Sequence, residues 1–388
     1  MITYIEKLLN GQPVEWKTLG EVAEIEKGKQ LNKERLTATG LYPAYNGGVS
    51  YSGFTDRYSH TENKTIISQG GASAGFVNFI ETRFYANAHC YVVLPNEELV
   101  HRRFVYHILK RQQPQLKGKQ FGAGIPALKT KDLLTLPIPI PPLSVQEEIV
   151  RILDKFTELE AVLEAELEVR KQQYEYYRNS LLSFANDLEG GLWKPLGEAC
   201  EVIGGFAFKS SLFKEEGMPI VRIGNITASN HINMDDSKCF NPEDYAGINF
   251  QSYLTQAGDI LVAMSGATTG KIGYYTGEEV SYINQRVSKL SPKSEILNNR
   301  FLYHYLLGKS DYLYHLAGGG AQPNLSAKDL RTRLLIPIPP LAEQERIARI
   351  LDKFDTLTNS LTEGLPQEIE LRRKQYEYYR EQLLSFPA

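Results

Sequence analysis

The sequence predicts an α+β protein in which two mixed α/β domains are joined by two long antiparallel coiled-coil helices, in a pseudo-twofold, circularly arranged repeat. Three observations carry that prediction. The hexapeptide QYEYYR occurs at 173–178 and again at 375–380. The phrase LPIPIPPLSVQEEIVRILDKF at 136–156 returns as LLIPIPPLAEQERIARILDKF at 334–354. Between these phrases lie stretches with little in common, each holding short apolar runs among Gly, Asn and Pro, the pattern of strands and turns. Self-similarity of this kind has to be read first, because one supersecondary plan then serves twice.

Residues 1–135 read as the first domain, basic and mixed β, with one covering helix in RRFVYHIL at 102–109. Residues 136–186 read as a proline connector and a long helix. Leu136, Ile138 and Ile140 alternate with prolines, so the connector is an extended, partly buried segment rather than a PxxP ligand. SVQE, from Ser144, has the form of a capping box that starts the helix. Ile149, Phe156, Leu163, Arg170, Tyr177 and Phe184 then fall seven apart. Leu153, Glu160, Leu167, Tyr174 and Leu181 form the companion row, and only Glu160 and Arg170 interrupt this coiled-coil seam. At 1.5 Å per residue such a helix is about 60 Å long.

Residues 187–333 read as the second domain, with NRFLYHYLL at 299–307 as its covering helix, and 334–388 as the second connector and helix. Four extra residues interrupt the heptads of that second helix. They bring Gly364 and Pro366, so a kink or break is expected near 362–366. WKTLGEV at 16–22 matches WKPLGEA at 193–199, and the whole opening of the chain resembles the passage that leaves the first helix. The opening therefore supplies the exit that the final helix lacks, which makes the repeat circular. Tyr174, Tyr177, Tyr376 and Tyr379 sit on the seam as packing residues. Tyr176 and Tyr378 fall off it and are candidates for docking a partner.

Composition bounds the function. With 388 residues and 42% hydrophobic content the chain can bury two ordinary cores. No run approaches the roughly 18 apolar residues of a membrane helix, and the first residues lack the pattern of a secretory signal. Three widely spaced cysteines read as reduced thiols of a cytoplasmic protein. The net charge of −3 hides separated patches: 102–131 holds eight Lys/Arg and no acid, and 157–169 holds five Glu and no base.

Catalytic motifs are missing. The Pro-Pro pairs precede Leu rather than an aromatic residue, so the Asn/Asp-Pro-Pro-aromatic motif of amino-methyl transfer is not formed. Cys and His do not occur at zinc spacing. Gly266 to Lys271 is one residue short of a phosphate loop, and Ile272 stands where a magnesium-binding hydroxyl belongs. Asp236-Ser237-Lys238 has the acid-x-Lys spacing of nucleases without an upstream acidic partner. The residues alone describe two binding heads on a helical rod.

The repeated IPIPPL, ILDKF, QYEYYR and LLSF phrases, which frame essentially the whole chain, resemble the two conserved regions of type I restriction–modification specificity subunits. The resemblance implies that the heads are target recognition domains, each reading half of an asymmetric, bipartite double-stranded DNA target. It implies that the helices set the spacer and dock two methyltransferase subunits, and that restriction/translocase subunits complete the complex. It implies that the chain performs no catalysis and binds no cofactor, with S-adenosylmethionine, ATP and Mg2+ on the partner subunits and no membrane involved. Lys117, Lys119, Lys129 and Lys131 of the basic run are then phosphate contacts. Side chains able to pair with base edges are Ser73, Asn87, His89 and Gln120 in the first head. In the second they are Thr268, Thr269, Lys271, Gln285, Arg286, Gln322, Asn324 and Ser326. For any one of these the plain alternative is a turn former or a cap, and Ser326 opens SAKD, a capping sequence. Two other expectations compete: a non-enzymatic scaffold whose heads bind protein or carbohydrate, and an enzyme in its own right, which the missing motifs disfavour.

Overall fold

A computed structural model describes residues 4–118, 127–184, 192–227, 229–318, 323–360 and 362–386. Contacts divide the chain into two units, Met1–Leu163 with Ile369–Ala388, and Glu164–Glu368. Among the described residues, no helix is long and apolar enough to cross a membrane.

The first unit contains the helices α1 (Tyr4–Leu9), α2 (Leu19–Val22), α3 (Arg102–Arg111), α4 (Gln113–Gly118), α5 (Thr130–Leu134) and the start of α6 (Leu143–Leu181). Its head has a four-stranded antiparallel sheet with β2 (Ala23–Lys27), β8 (Cys90–Pro95), β5 (Lys64–Ser68) and β6 (Val77–Ile80) in that order. A three-stranded sheet orders β4 (Gly53–Thr55), β3 (Tyr42–Tyr45) and β7 (Tyr85–Ala86), with β3 parallel to β7. The WKT strand β1 (Glu15–Thr18) pairs with the proline connector β9 (Pro137–Ile140). Ile138, on the alternating apolar side of that connector, is fully buried.

The second unit repeats the plan. One sheet orders β11 (Cys200–Gly204), β18 (Val287–Pro292), β15 (Ile260–Ala263) and β16 (Ile272–Tyr274). The other orders β13 (Lys238–Phe240), β12 (Met218–Val221), β17 (Ser281–Ile283) and β14 (Leu254–Thr255), again with β12 parallel to β17. β10 (Trp193–Pro195) pairs with the second connector β19 (Leu335–Pro337). Around these sheets lie α7 (Leu196–Ala199), α8 (Asn299–Leu307), α9 (Ser310–Leu316), α10 (Ala327–Arg333), α11 (Leu341–Asn359) and the start of α12 (Gly364–Leu383). The second long helix is thus interrupted, with α11 ending at Asn359 and α12 beginning at Gly364.

Both connectors lead into their helices through a glutamine rather than a serine cap. α6 begins at Leu143, so Ser144 lies inside its first turn and the capping-box reading fails. The fully buried Gln146 donates from Nε2 to the carbonyls of Leu99 and Pro141 and accepts the His101 amide at 2.8 Å. Gln344 does the same with Ile296, Pro339 and Asn298. Each glutamine satisfies three backbone groups where head, connector and helix meet, which a short hydroxyl could not reach.

A second shared device joins each head to its helices. In the second unit the Tyr174 hydroxyl donates to His304 Nδ1 at 2.9 Å, His304 Nε2 donates to Asp352 at 2.7 Å, and Arg300 Nε donates to the same carboxylate at 2.6 Å. In the first unit Tyr376 meets His107 at 3.3 Å, His107 meets Asp154 at 2.8 Å, and Arg103 donates to Asp154 at 2.9 Å. Burial holds both imidazoles below the usual histidine range, so they are neutral and can accept from tyrosine while donating to aspartate. Burial alone would raise the two aspartates. Their bonds to histidine and the nearby arginines hold them below the usual range instead.

The pairing is crosswise. The tyrosine of the first QYEYYR completes the second head, and that of the second QYEYYR completes the first. Tyr177 likewise stacks on Phe354, and Tyr379 on Phe156. Glu160, the polar residue on the seam of α6, pairs with Arg373 of α12. α1 closes the circle, since Ile5 and Leu9 share a core with Leu383 and Leu384.

Candidate nucleic-acid interface

The two heads share one turn, bond for bond. In the first, β5 leads into Gln69–Phe76 territory, where the amides of Ala74, Gly75 and Phe76 donate to Gly71, Ser68 and Ser73. In the second, Thr269, Gly270 and Lys271 donate to Gly266, Ala263 and Thr268. The loose sequence match between QGGASAGF and MSGATTGK therefore conceals an identical backbone. Gly75 and Gly270 have φ of +81° and +84°, and a Cβ on either would come within 2.9 and 2.8 Å of backbone atoms in the helix behind. That backing comes from α4, at Leu116, and α9, at Ser310.

Two further segments join the turn. Gln69 donates to the His89 carbonyl and accepts from the Leu128 amide, both at 2.8 Å. Met264 donates to Arg286 at 2.8 Å and accepts from Leu325 at 2.7 Å. Bridges pair Gly70 with Ala127 and Ser265 with Asn324. These bonds set up a register between the heads: Ser73 matches Thr268, Ala88 matches Gln285, His89 matches Arg286, and Ala127 matches Asn324. Three chain segments converge on each head with the same backbone and different side chains.

Most of the expected readers stand at this junction. His89, Gln285, Arg286 and Asn324 are exposed, and Ser73, Thr268 and Lys271 are half-buried. Lys117 at the end of α4, Lys129 before α5 and Lys131 within it are exposed. Lys119, Gln120 and Gln322 lie outside the described residues. Tyr176 and Tyr378 are 68% and 61% exposed on their helices.

Three of the expected readers are committed to the fold. Asn87 is buried, accepting from the Leu31 amide and donating to the Leu31 carbonyl, both at 3.0 Å. Thr269 is buried, and its hydroxyl donates to the Gly266 carbonyl at 2.7 Å, stapling the turn. Ser326 caps α10 by accepting the Asp329 amide at 3.0 Å. The basic run also divides. Arg102 pairs with Glu97, Arg103 with Asp154 and Arg111 with Glu381, and Lys110 donates to the Val77 carbonyl. Burial lowers the Lys110 ammonium to about 8. The residues of α3 in this run are therefore engaged by the fold, whereas Lys117, Lys129 and Lys131 are exposed. The near-phosphate loop at Gly266 is the shared turn: the amides of Thr269, Gly270 and Lys271 are bonded within it, that of Gly266 donates to the Pro323 carbonyl, and a strand rather than a helix follows.

Sequence reasoning missed Ser265. Its Oγ, like that of Thr268, is buried without a hydrogen-bond partner among the described residues. The signal was its place immediately before the first glycine of the turn, where the other head has Gly70.

Comparisons with known proteins agree with one another. The family described as "Type I restriction modification DNA specificity domain" matches residues 13–169 and 192–371. A putative type I restriction enzyme specificity subunit from Haemophilus influenzae is 36% identical over 99% of this chain and 98% of its own length. The Escherichia coli type I restriction enzyme EcoR124I/EcoR124II specificity subunit is 34% identical over 100% of this chain and 98% of its own. The crystal structure of a type I restriction–modification S subunit from M. genitalium has the same fold, with a TM-score of 0.67 at 21% identity, covering 98% of each chain.

Proposed function

The chain belongs to the family of type I restriction–modification DNA specificity proteins, and we propose that it reads an asymmetric, bipartite double-stranded DNA target, one half with each head. One observation carries this: two heads present the same three-segment backbone junction and arm it with different side chains. A shared frame with unlike readers suits a two-part target whose halves differ. The exposed Lys117 and Lys131 supply phosphate contacts, which position the duplex without reading it.

The helices serve assembly. α6 runs unbroken through 39 residues, and the residue count of the helices sets the length of the unread spacer. Tyr176 and Tyr378 occupy the same position in the two copies of the repeated phrase, one per helix, and offer matching surfaces to two methyltransferase subunits. Restriction/translocase subunits join these in the full complex. S-adenosylmethionine, ATP and Mg2+ act on the partners, and the modified base is adenine; this chain supplies recognition and no chemistry. The complex works in the cytoplasm, where the chromosome is.

The test is co-expression with the cognate methyltransferase subunit, followed by methylation-sensitive genome sequencing. One split, asymmetric motif with modified adenines is expected. Modification without sequence preference, or a single undivided motif, refutes the proposal.

A further inference from the structure

We propose that Arg286 is the specificity-determining residue of the second head and that it reads a guanine through the O6 and N7 acceptors of its major-groove edge. The inference rests on the recognition function proposed above and assigns it to one side chain and one base.

The backbone at Arg286 is fixed on both sides. The neighbouring Gln285 amide donates to the Phe206 carbonyl at 2.8 Å, and the Arg286 carbonyl accepts from Met264 at 2.8 Å. The Asn284 amide donates to Val221 at 2.9 Å. The guanidinium, by contrast, is exposed and makes no ion pair or side-chain hydrogen bond among the described residues. Two other arginines of this unit are engaged by the fold: Arg300 is held by Asp352 and Asp355, and Arg222 lies over Phe213 with its Nε buried. A rigid pedestal under an uncommitted planar fork is the arrangement that bidentate base reading needs.

The surroundings support a ligand there. Lys271, Gln285 and Asn324 stand on the same junction, and Ser265 and Thr268 in its turn keep buried hydroxyls without partners among the described residues. Unpartnered buried hydroxyls are rare unless something absent completes them. At the matching position the first head has His89, which cannot offer two parallel N–H donors to one base edge. The first head also has Gly70 and Ala127 where the second has Ser265 and Asn324. The two heads therefore read unlike bases at one shared position of the frame.

The test uses the whole chain assembled with its methyltransferase partner and a randomised DNA library read out by methylation. Arg286→Ala should lower discrimination at a single base pair of the second half-site by about 5- to 150-fold, with the first half-site unchanged. Arg286→Lys keeps the charge but not the fork, and should restore overall modification without restoring discrimination. An unchanged second half-site overturns the assignment, as does a weakening spread evenly over all sequences, which marks a phosphate contact. Full discrimination by the lysine variant overturns it as well. Failure of the recognition function itself looks different, since the unmutated complex would then modify the library without a split motif.

Discussion

The crosswise tyrosines make a prediction that depends on chain connectivity. Tyr376→Phe keeps the ring, which lies tilted against Phe156, and removes only the hydroxyl that donates to His107. His107 is fully buried, so Nδ1 is left without a donor. Stranding a buried acceptor costs about 1–3 kcal/mol. At 3.3 Å the bond is long, and the cost belongs at the lower end, about 1 kcal/mol. The equivalent bond of Tyr174 to His304 is 2.9 Å, and Tyr174→Phe should cost about 2 kcal/mol. Amide hydrogen exchange followed by mass spectrometry resolves the two sites. Tyr376→Phe should speed exchange in α3 (Arg102–Arg111) by roughly 5-fold, and Tyr174→Phe should speed it in α8 (Asn299–Leu307) by roughly 30-fold. Each variant acts on a head far from it in sequence. If Tyr376→Phe loosened α8 and left α3 protected, the crosswise assignment would be wrong.

Stability should fall in mild acid, because the unfolded chain protonates its histidines below about pH 6.5 while His107 and His304, held lower by burial, protonate less readily in the fold. Two such groups give a slope of up to about 2.7 kcal/mol per pH unit, measurable by urea titration. Flat stability between pH 7 and pH 5 contradicts this. Asp154 and Asp352, held low, add stability that is present above about pH 4 and lost as pH falls further. Gly270→Ala places a side chain at φ +84° against the Ser310 carbonyl and should cost about 2 kcal/mol, with a lowered melting temperature and impaired second-half recognition. Adding one four-residue step within LEAVLEAELEVR at 159–170 lengthens the helix by about 6 Å. The preferred spacer should widen while both half-sites keep their letters, and altered letters with an unchanged gap would show that the helices do not set the spacer.

Much of the frame was legible because the repeated phrases are where the chain binds itself. Arg103, His107, Asp154 and Tyr376, with their counterparts Arg300, His304, Asp352 and Tyr174, all lie inside those phrases. Periodicity placed the tyrosines on a seam, yet it could not tell a packing ring from the end of a hydrogen-bonded relay. That distinction depends on what faces the hydroxyl across the fold. The candidate readers were harder. Asn87, Thr269 and Ser326 are small polar residues in turns, and such side chains satisfy backbone groups as readily as they face solvent. Arg102, Arg103, Lys110 and Arg111 look in sequence like one electrostatic stripe. Helical geometry turns most of them toward acids and carbonyls that lie elsewhere in the chain.

The sharing of Leu383 and Leu384 with Ile5 has a consequence for biosynthesis. The second unit is one uninterrupted stretch and can close while translation continues, whereas the first must wait for residues 369–384 to emerge. The part made earliest is thus sealed latest, and until then Phe104, Leu109 and Ile149 lack their final cover. A nascent chain arrested with residues up to Glu368 clear of the ribosome's exit tunnel and the remainder still inside it would hold a finished second reader and an open first one, and a protease added at that moment should cut it only within its oldest portion.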